Sequence, residues 1–217
     1  MKMVRFFKIL CSGALIVLLS ATSSPCTVKP GLPAPPPTAG DAREGMDREI
    51  PDWQARLELA RLLSYSQLYD ESVEEYKKVL RARPDLEEAR TEMARVLYWS
   101  GRTDEAFELF TDIPRDRLPE SDRLVLAELY LSNEEYGKAE IIYREYLANN
   151  PGDLQVKHKM AQLLSWTEKY DESLGLYADI LKSRPDDIQL RREYAYVLIW
   201  SGRHAEAIAE LQKSLAR

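Results

Sequence analysis

A small residue returns along this chain at an almost constant interval. From residue 53 onward, alanine recurs at steps of 34, 33, 34 and 34 residues, at Ala60, Ala94, Ala127, Ala161 and Ala195. Prolines follow nearly the same interval, at Pro84, Pro119, Pro151 and Pro185. Such a period is typical of a repeat architecture, in which each unit packs only on its neighbours. The chain is therefore predicted to contain five units, which begin near residues 53, 87, 120, 154 and 188.

The pattern inside each unit predicts two helices. Apolar residues recur at three- and four-residue spacing on both sides of a turn, and proline near position 32 ends the second helix. Position 20 is small in every unit, at Ser72, Ala106, Ala139, Ser173 and Ala207, and position 24 is large, at Tyr76, Phe110, Tyr143, Tyr177 and Leu211. The small residues at positions 8 and 20 should let the two helices approach closely, with the large residue packed over them.

This pattern resembles the tetratricopeptide repeat (TPR), a helix-turn-helix unit of 34 residues. The resemblance covers residues 53–217 and implies an all-α fold, a right-handed α-solenoid of about five repeats. One departure is regular: the tryptophan that the family has at position 4 is replaced by Arg56, Arg90, Arg123, Lys157 and Arg191. The methylene groups of these cations are expected to cover the neighbouring helix.

The stretch Trp-Ser-Gly-Arg occurs twice, at residues 99–102 and 200–203. Gly101 and Gly202 stand at position 15 between two predicted helices, where a left-handed helix cap is expected. A longer duplication contains this stretch, since residues 53–86 and 154–187 share 14 identities in 34 positions. Units four and five are therefore interpreted as copies of units one and two.

Two irregularities should affect the stacking of the units. Pro114 falls inside the expected second helix of unit two, so this helix is predicted to stop near Asp112, with a local kink before unit three. The last unit has no additional polar helix to cap it. Either a partner covers its outer face, or its own second helix is polar enough to face solvent.

The first 52 residues precede the repeats and have a different character. Lys2, Arg5 and Lys8 flank the start of an apolar run at residues 9–19, and small residues follow, which is typical of a signal peptide at residues 1–23. An uncleaved membrane anchor is the alternative. Residues 24–52 are rich in proline and are predicted to be a disordered linker. The chain is therefore predicted to be exported, to a bacterial periplasm.

Cys26 is the only cysteine after the predicted signal peptide, so the exported chain has no internal disulfide partner for it. A lipid-modified N-terminus stays open as an alternative, although Ser23 and Pro25 fit the lipoprotein signal poorly. Loss of the three N-terminal cations would move the net charge from −6 to −9. An acidic chain without a basic cluster argues against nucleic acid, DNA included, as a partner, and against anionic membrane surfaces.

No motif in the sequence indicates catalysis. There is no nucleotide-binding loop and no pair of metal-ligating histidines, since His158 and His204 lie 46 residues apart. Carboxylates stand at helical spacing from cations, as in Glu74 and Lys78, and are expected to be solvated surface pairs. We therefore predict a protein without enzyme activity, cofactor or metal.

Aromatic residues at position 13 indicate a binding surface. In the TPR family, positions 2, 5, 9, 12 and 13 of the first helix line a concave groove that holds peptides or partner helices. By this resemblance the groove would contain Arg61, Tyr65, Arg95, Tyr98, Trp99, His158, Trp166, Arg192, Tyr196 and Trp200. Such residues suit a protein or peptide partner with apolar anchors and some acids. The alternative is that each tryptophan packs on a neighbouring unit and is structural.

These features favour a non-catalytic scaffold of the cell envelope, which would present its groove to a partner protein within a polysaccharide-export or secretion assembly. Two alternatives stay open. One is a chaperone-like assembly factor for pilus, secretin or cytochrome maturation. The other is a glycan-binding module that uses the tryptophans as platforms for sugars.

Overall fold

The computed structural model of the protein describes residues 50–216, and within this range the chain forms ten α-helices, one 3-10 helix and no β-strand. The α-helices are α1 (Asp52–Tyr65), α2 (Tyr69–Ala82), α3 (Glu87–Trp99), α4 (Thr103–Thr111), α5 (Glu120–Ser132), α6 (Tyr136–Asn149), α7 (Leu154–Trp166), α8 (Tyr170–Ser183), α9 (Ile188–Trp200) and α10 (His204–Leu215). The predicted signal peptide (1–23) and nearly all of the predicted linker (24–52) lie outside the described residues. The predicted all-α array of helix-turn-helix units is confirmed.

Helices pair in chain order, α1 with α2 through α9 with α10, and the second helix of each unit packs on the first helix of the next. Odd-numbered helices begin within one residue of the predicted frames. Two of these starts are capped by a carboxylate, because Asp153 accepts hydrogen bonds from the backbone amides of Gln155 and Val156, and Asp187 accepts one from Leu190. A cap of this kind satisfies amides that have no partner inside the helix.

The predicted close approach of the two helices in each unit is confirmed by burial. All five alanines at position 8 are fully buried, and the residues at position 20 are buried in every unit. Where position 20 is serine, its hydroxyl has a partner: Ser72 donates to the Ala60 carbonyl and Ser173 to the Ala161 carbonyl, both at 2.7 Å. The large residues at position 24 are buried in units one to four, whereas Leu211 of unit five is only half-buried.

The turn between the two helices of each unit contains a residue in the left-handed region at position 15. Gly101 and Gly202 have φ of +82° and +81°, which confirms the predicted helix caps. The other three units place Gln67, Glu134 and Glu168 there, with φ of 62°, 59° and 65°. The turn is therefore the same in all five units, although glycine, which adopts this conformation without steric cost, occupies it in only two.

Three of the five cations at position 4 bind acids on the second helix of their own unit. Arg56 donates to Glu75 at 2.9 Å, and Arg191 donates to Glu210 at 2.5 Å. Lys157 pairs in the same way with Asp179. The expectation that these residues act through their methylene groups was thus incomplete, because their charged ends also join the two helices. The expected pair of Glu74 with Lys78 is wrong, since Lys78 bonds to Glu75, three residues away.

The connection between units two and three is irregular, as Pro114 predicts. Helix α4 ends at Thr111, one residue before the predicted stop, and a 3-10 helix follows at Arg115–Arg117. Ile113 and Leu118, on either side of this 3-10 helix, are buried in the core. The segment is therefore anchored by apolar contacts, and the kink stays a prediction. No helix in the described range is long and apolar enough to span a membrane.

Candidate partner-binding face

Positions 5, 9 and 13 of each first helix lie four residues apart and therefore share one helix face. We call these positions the first-helix face. Its most exposed large side chains belong to units four and five: Trp166 and Tyr196 are 48% exposed, and Trp200 is 37% exposed. The rings of Tyr196 and Trp200 lie 6.2 Å apart on α9, tilted by 36°, and the ring of Trp166 lies 6.3 Å from that of Tyr136 on α6.

At the junction of units one and two, polar side chains of the first-helix face are already held in contacts within the array. Arg61 donates to both carboxylate oxygens of Glu92, at 3.0 and 2.9 Å, and also to Glu58 at 2.8 Å and Glu88 at 2.7 Å. Glu92 is buried, and it accepts a further hydrogen bond from the Tyr76 hydroxyl at 3.0 Å. Burial, and then the nearby Glu92 carboxylate, raise the pKa of Tyr76 well above its usual value.

The junction of units four and five repeats this arrangement 101 residues later. The Tyr177 hydroxyl donates to Glu193 at 3.1 Å, and Nε2 of His158 lies 2.5 Å from the same Glu193 oxygen. The Gln162 amide lies 3.4 Å from that oxygen. A glutamate at position 6 thus binds the tyrosine at position 24 of the preceding unit in both copies. Its remaining partners differ, with arginine in one copy and histidine and glutamine in the other.

The two middle junctions lack this pairing, in agreement with their residues. Between units two and three, position 24 is Phe110 and position 6 is Val125, and both are buried. Between units three and four, Tyr143 faces a unit with Lys159 at position 6, and the buried Tyr143 hydroxyl has no hydrogen-bond partner among the described residues. Among the four junctions, an acid at position 6 is therefore present only where it meets both a tyrosine hydroxyl and a basic or amide side chain.

Other predicted groove residues also have partners inside the array. Arg95 forms an ion pair with Asp122, which is fully buried, at 2.9 Å. Burial raises the pKa of Asp122, although Arg95 opposes this change. Tyr98 donates to Glu128 at 2.5 Å, and Glu128 also pairs with Lys159. These side chains could contact a partner only by sharing or giving up their present bonds.

The remaining predicted residues differ in their surroundings. Trp99 is half-buried and packs against the core, and its buried indole nitrogen has no hydrogen-bond partner among residues 50–216. Tyr65 is half-buried, and burial followed by Glu92 raises its pKa. Arg192 is half-buried and forms no ion pair within the described range. The tryptophans at position 13 therefore differ in exposure, although the sequence predicts the same role for all of them: Trp99 packs inside the array, whereas Trp166 and Trp200 are exposed.

A comparison with protein-family models decides the family. The model described as Tetratricopeptide repeat matches residues 57–121 and 158–217. The chain belongs to the tetratricopeptide repeat family. A comparison of this TPR protein with curated proteins finds no match.

Solved structures share the TPR fold at low sequence identity. YrrB, described as a TPR protein with an unusual peptide-binding site, is 17% identical, with a TM-score of 0.66 over 82% of this chain and 90% of that chain. MamA has a TM-score of 0.63 at 16% identity over 76% of this chain and 90% of that chain. MamA from AMB-1 has a TM-score of 0.66 at 19% identity, with the same coverage of the two chains. At these identities the likeness establishes the fold alone.

Sequence reasoning did not identify the acids that organise this face. Glu92 and Glu193 stand at position 6, outside the groove positions of the family. The duplication contained a usable signal, because each glutamate follows a tyrosine at position 24 by 16 residues in both copies. Among the described residues, no group of three or more His, Cys, Asp or Glu side chains is arranged to hold a metal ion.

Proposed function

We propose that this chain is a non-catalytic protein-binding scaffold of the bacterial cell envelope. It is exported by residues 1–23 and tethered by residues 24–52. Its TPR array presents the first-helix face to a partner protein within a polysaccharide-export or secretion assembly. Membership of the TPR family supports the binding role, and the charged, apolar and small residues of the N-terminus support export.

The observation that carries the binding role is the exposure of three large aromatic side chains in adjacent units. Trp166, Tyr196 and Trp200 leave between a third and a half of their surface in solvent. Exposed aromatic side chains of this size supply much of the binding energy in protein interfaces when a partner covers them. Arg192 lies one helical turn before Tyr196 and forms no ion pair with any residue of the range 50–216, so its guanidinium can bind a carboxylate of the partner.

The chemistry of this region favours a peptide segment or helix with apolar anchors and at least one carboxylate. The aromatic rings give flat apolar surfaces, and arginine binds carboxylates through two parallel hydrogen bonds. The description of YrrB as a TPR protein with a peptide-binding site supports this class of ligand for an array of the same fold. In units one and two the arginines of this face are already bound to acids, and unit three has no arginine at these positions, so the partner is expected to use units four and five.

Site-directed cross-linking tests this function. A photoreactive amino acid is placed at residue 200, and at residue 141 as a matched control, since Ile141 is also an exposed apolar residue but lies on the second helix α6. After irradiation of cells, we expect a discrete adduct at residue 200 that is absent at residue 141 and is lost with Trp166→Ala. The same adducts at both positions would contradict a specific binding face.

Export has a separate test. Intact-mass measurement of the chain released by osmotic shock should give a mature N-terminus at Ser24. Recovery of the full chain from the cytoplasm would contradict the proposed location. A diacylglycerol adduct on Cys26 would contradict cleavage before Ser24.

A further inference from the structure

Polar contacts at three of the four junctions between successive units share one register, and the junction of units two and three departs from it, with Arg95 bound to Asp122 at position 3. The side chain at position 5 or 9 of one unit reaches position 6 of the next, as in Arg61 with Glu92 and His158 with Glu193. Glu128 with Lys159 uses the same two positions, 9 and 6, with the charges reversed. The residues at position 10 are buried in units two to five, and those at position 7 are buried in units two to four and half-buried in unit five. If a further unit were stacked on either end of the array, this register predicts which of its positions would contact the outer face.

The outward face of unit one has the composition of a stacking face. Leu59 and Leu62, at positions 7 and 10, are 44% and 54% exposed. Their equivalents in unit two, Met93 and Val96, are buried in the core shared with unit one. A terminal unit that faces water would be expected to carry polar residues at these positions. Unit one instead retains the apolar residues of a covered junction.

The outward face of unit five is the other half of such a junction. Ile208, at position 21 of α10, is 57% exposed, whereas its equivalent in unit one, Val73, is fully buried. Leu215, later on the same helix, is also exposed. The sequence left open whether this helix is polar enough to face solvent. The two exposed aliphatic side chains favour a covered face.

The charges at the two ends are complementary in the same register. Unit one has Glu58 at position 6, the position of Glu92 and Glu193 in units two and five. Glu58 shares the one guanidinium of Arg61 with Glu88 and Glu92 of unit two, so the exposed Glu58 carboxylate has no cation to itself among these contacts. Unit five has Arg192 at position 5, the position of His158, and Arg192 has no ion pair in the described part of the chain. The acid Glu58 at one end of the array therefore complements the charge of Arg192 at the other end.

We propose that two copies of this protein stack end to end, with unit five of one copy on unit one of the other. In this interface Glu58 faces Arg192 of the second copy, and Leu59 and Leu62 pack against Ile208 and Leu215. The interface continues the internal junctions, in which His158 at position 5 meets Glu193 at position 6 and the second helix of one unit packs on the first helix of the next. The interface is heterologous, because two different surfaces pair. Each dimer therefore keeps one free unit-one face and one free unit-five face, to which further copies can bind.

Sedimentation velocity over a range of concentrations tests this proposal with the full chain. Leu62→Glu disrupts the unit-one half of the interface, and Ile208→Glu disrupts the unit-five half. Neither change should unfold the array, because both side chains are already more than half exposed. The wild-type chain should associate as its concentration rises, and each variant alone should be monomeric. A mixture of the two variants should form a 1:1 dimer and nothing larger, because only one intact half remains on each. Ile141→Glu, on a side surface, should associate like the wild type.

The charge pair gives an independent measurement. Arg192→Glu should weaken association about tenfold, the effect of losing one close charge pair at an interface. Combining it with Glu58→Arg in the same chain should restore most of the affinity. A wild-type chain that stays monomeric would overturn the proposal. So would association that Leu62→Glu abolishes and Ile208→Glu leaves intact, since that pattern belongs to a symmetric pairing of two N-terminal faces. Association that neither substitution changes would assign the contact to other residues and also overturn it.

Discussion

The Tyr76 hydroxyl donates a 3.0 Å hydrogen bond to the buried Glu92 carboxylate across the junction of units one and two. Glu92 also accepts hydrogen bonds from Arg61 at both of its carboxylate oxygens, so a single carboxylate joins three helices: α1, α2 and α3. Tyr177 and Glu193 repeat the pair between units four and five. This bond should contribute to stability because it is made to a charged group in a site from which water is excluded.

Tyr76→Phe removes this hydrogen bond and leaves the ring in place. The free energy of unfolding should fall by about 1.5–3 kcal/mol, the range for hydrogen bonds to charged groups. Tyr143→Phe is the matched control, since the buried Tyr143 hydroxyl has no hydrogen-bond partner in the part of the chain that the structure describes, and its removal should be neutral or slightly stabilising. Urea unfolding of both variants measures the difference. Equal losses in the free energy of unfolding for the two variants would show that the hydrogen bond from Tyr76 to Glu92 does not contribute to stability.

Gly101→Ala should destabilise the array through the backbone alone. A methyl group at Gly101 would meet no atom within 4 Å, but φ there is +82°. The expected cost is about 1 kcal/mol, that of a left-handed conformation for an L-residue. Gly175→Ala, in the middle of α8 and equally free of neighbours, should instead stabilise by about 0.5–1 kcal/mol. If Gly101→Ala and Gly175→Ala shift the melting temperature in the same direction, this interpretation is contradicted.

Ala94 and Ala195 are fully buried where the two helices of a unit meet. Replacing either by leucine should cost about 1–3 kcal/mol, because the added side chain has no space. Ala148 lies on the exposed side of α6 and should accept leucine with little change. Melting temperatures of the three variants test this. If the Ala148→Leu variant melts as low as the other two, the assignment of position 8 as the contact is wrong.

Stability should fall steeply in alkaline solution. Burial raises the pKa values of Tyr76, Tyr143 and Tyr177 above the usual value, so the folded chain keeps phenolic protons that the unfolded chain releases above about pH 10. The stabilisation is thus complete below about pH 10 and is lost as the pH rises further. Each of these tyrosines should add about 1.4 kcal/mol per pH unit to the slope, or about 4 kcal/mol per pH unit for the three, and Tyr98 and Tyr146, whose pKa values burial also raises, should add to it.

Denaturant unfolding at several pH values between about 9 and 11 measures this slope. Tyr177→Phe should reduce this slope by about 1.4 kcal/mol per pH unit, since one buried phenol is then absent. A free energy of unfolding that does not change over this interval would contradict the burial of these hydroxyls.

The residues that recur in every unit predicted the fold well. Alanine at position 8 and small residues at position 20 are sufficient to place ten helices, because each makes the same local contact five times. The left-handed turns at Gln67, Glu134 and Glu168 could not be predicted, since no glycine marks them. Their conformation follows from the helices on either side.

The candidate site was less predictable because it depends on which units meet. Trp99 and Trp166 share position 13 and the same preceding pattern, yet one is half-buried in the core and the other is nearly half exposed. Arg61 and Arg95 were expected to face a partner, but the acids that bind them lie about 30 residues later in the next unit. Such contacts follow from the stacking register and are not visible in the spacing within one unit.

The most direct test of the binding face is the affinity of the partner identified by cross-linking for Trp166→Ala and Trp200→Ala. Each should weaken binding by about 2 kcal/mol, about thirtyfold, and should lower the melting temperature little because the side chain is already exposed. Trp99→Ala should do the reverse, with a loss of about 2–3 kcal/mol in stability because its half-buried ring packs on the core. Affinities of the Trp166→Ala and Trp200→Ala variants equal to that of the wild type, together with large losses in their melting temperatures, would contradict the account and make all three tryptophans packing residues.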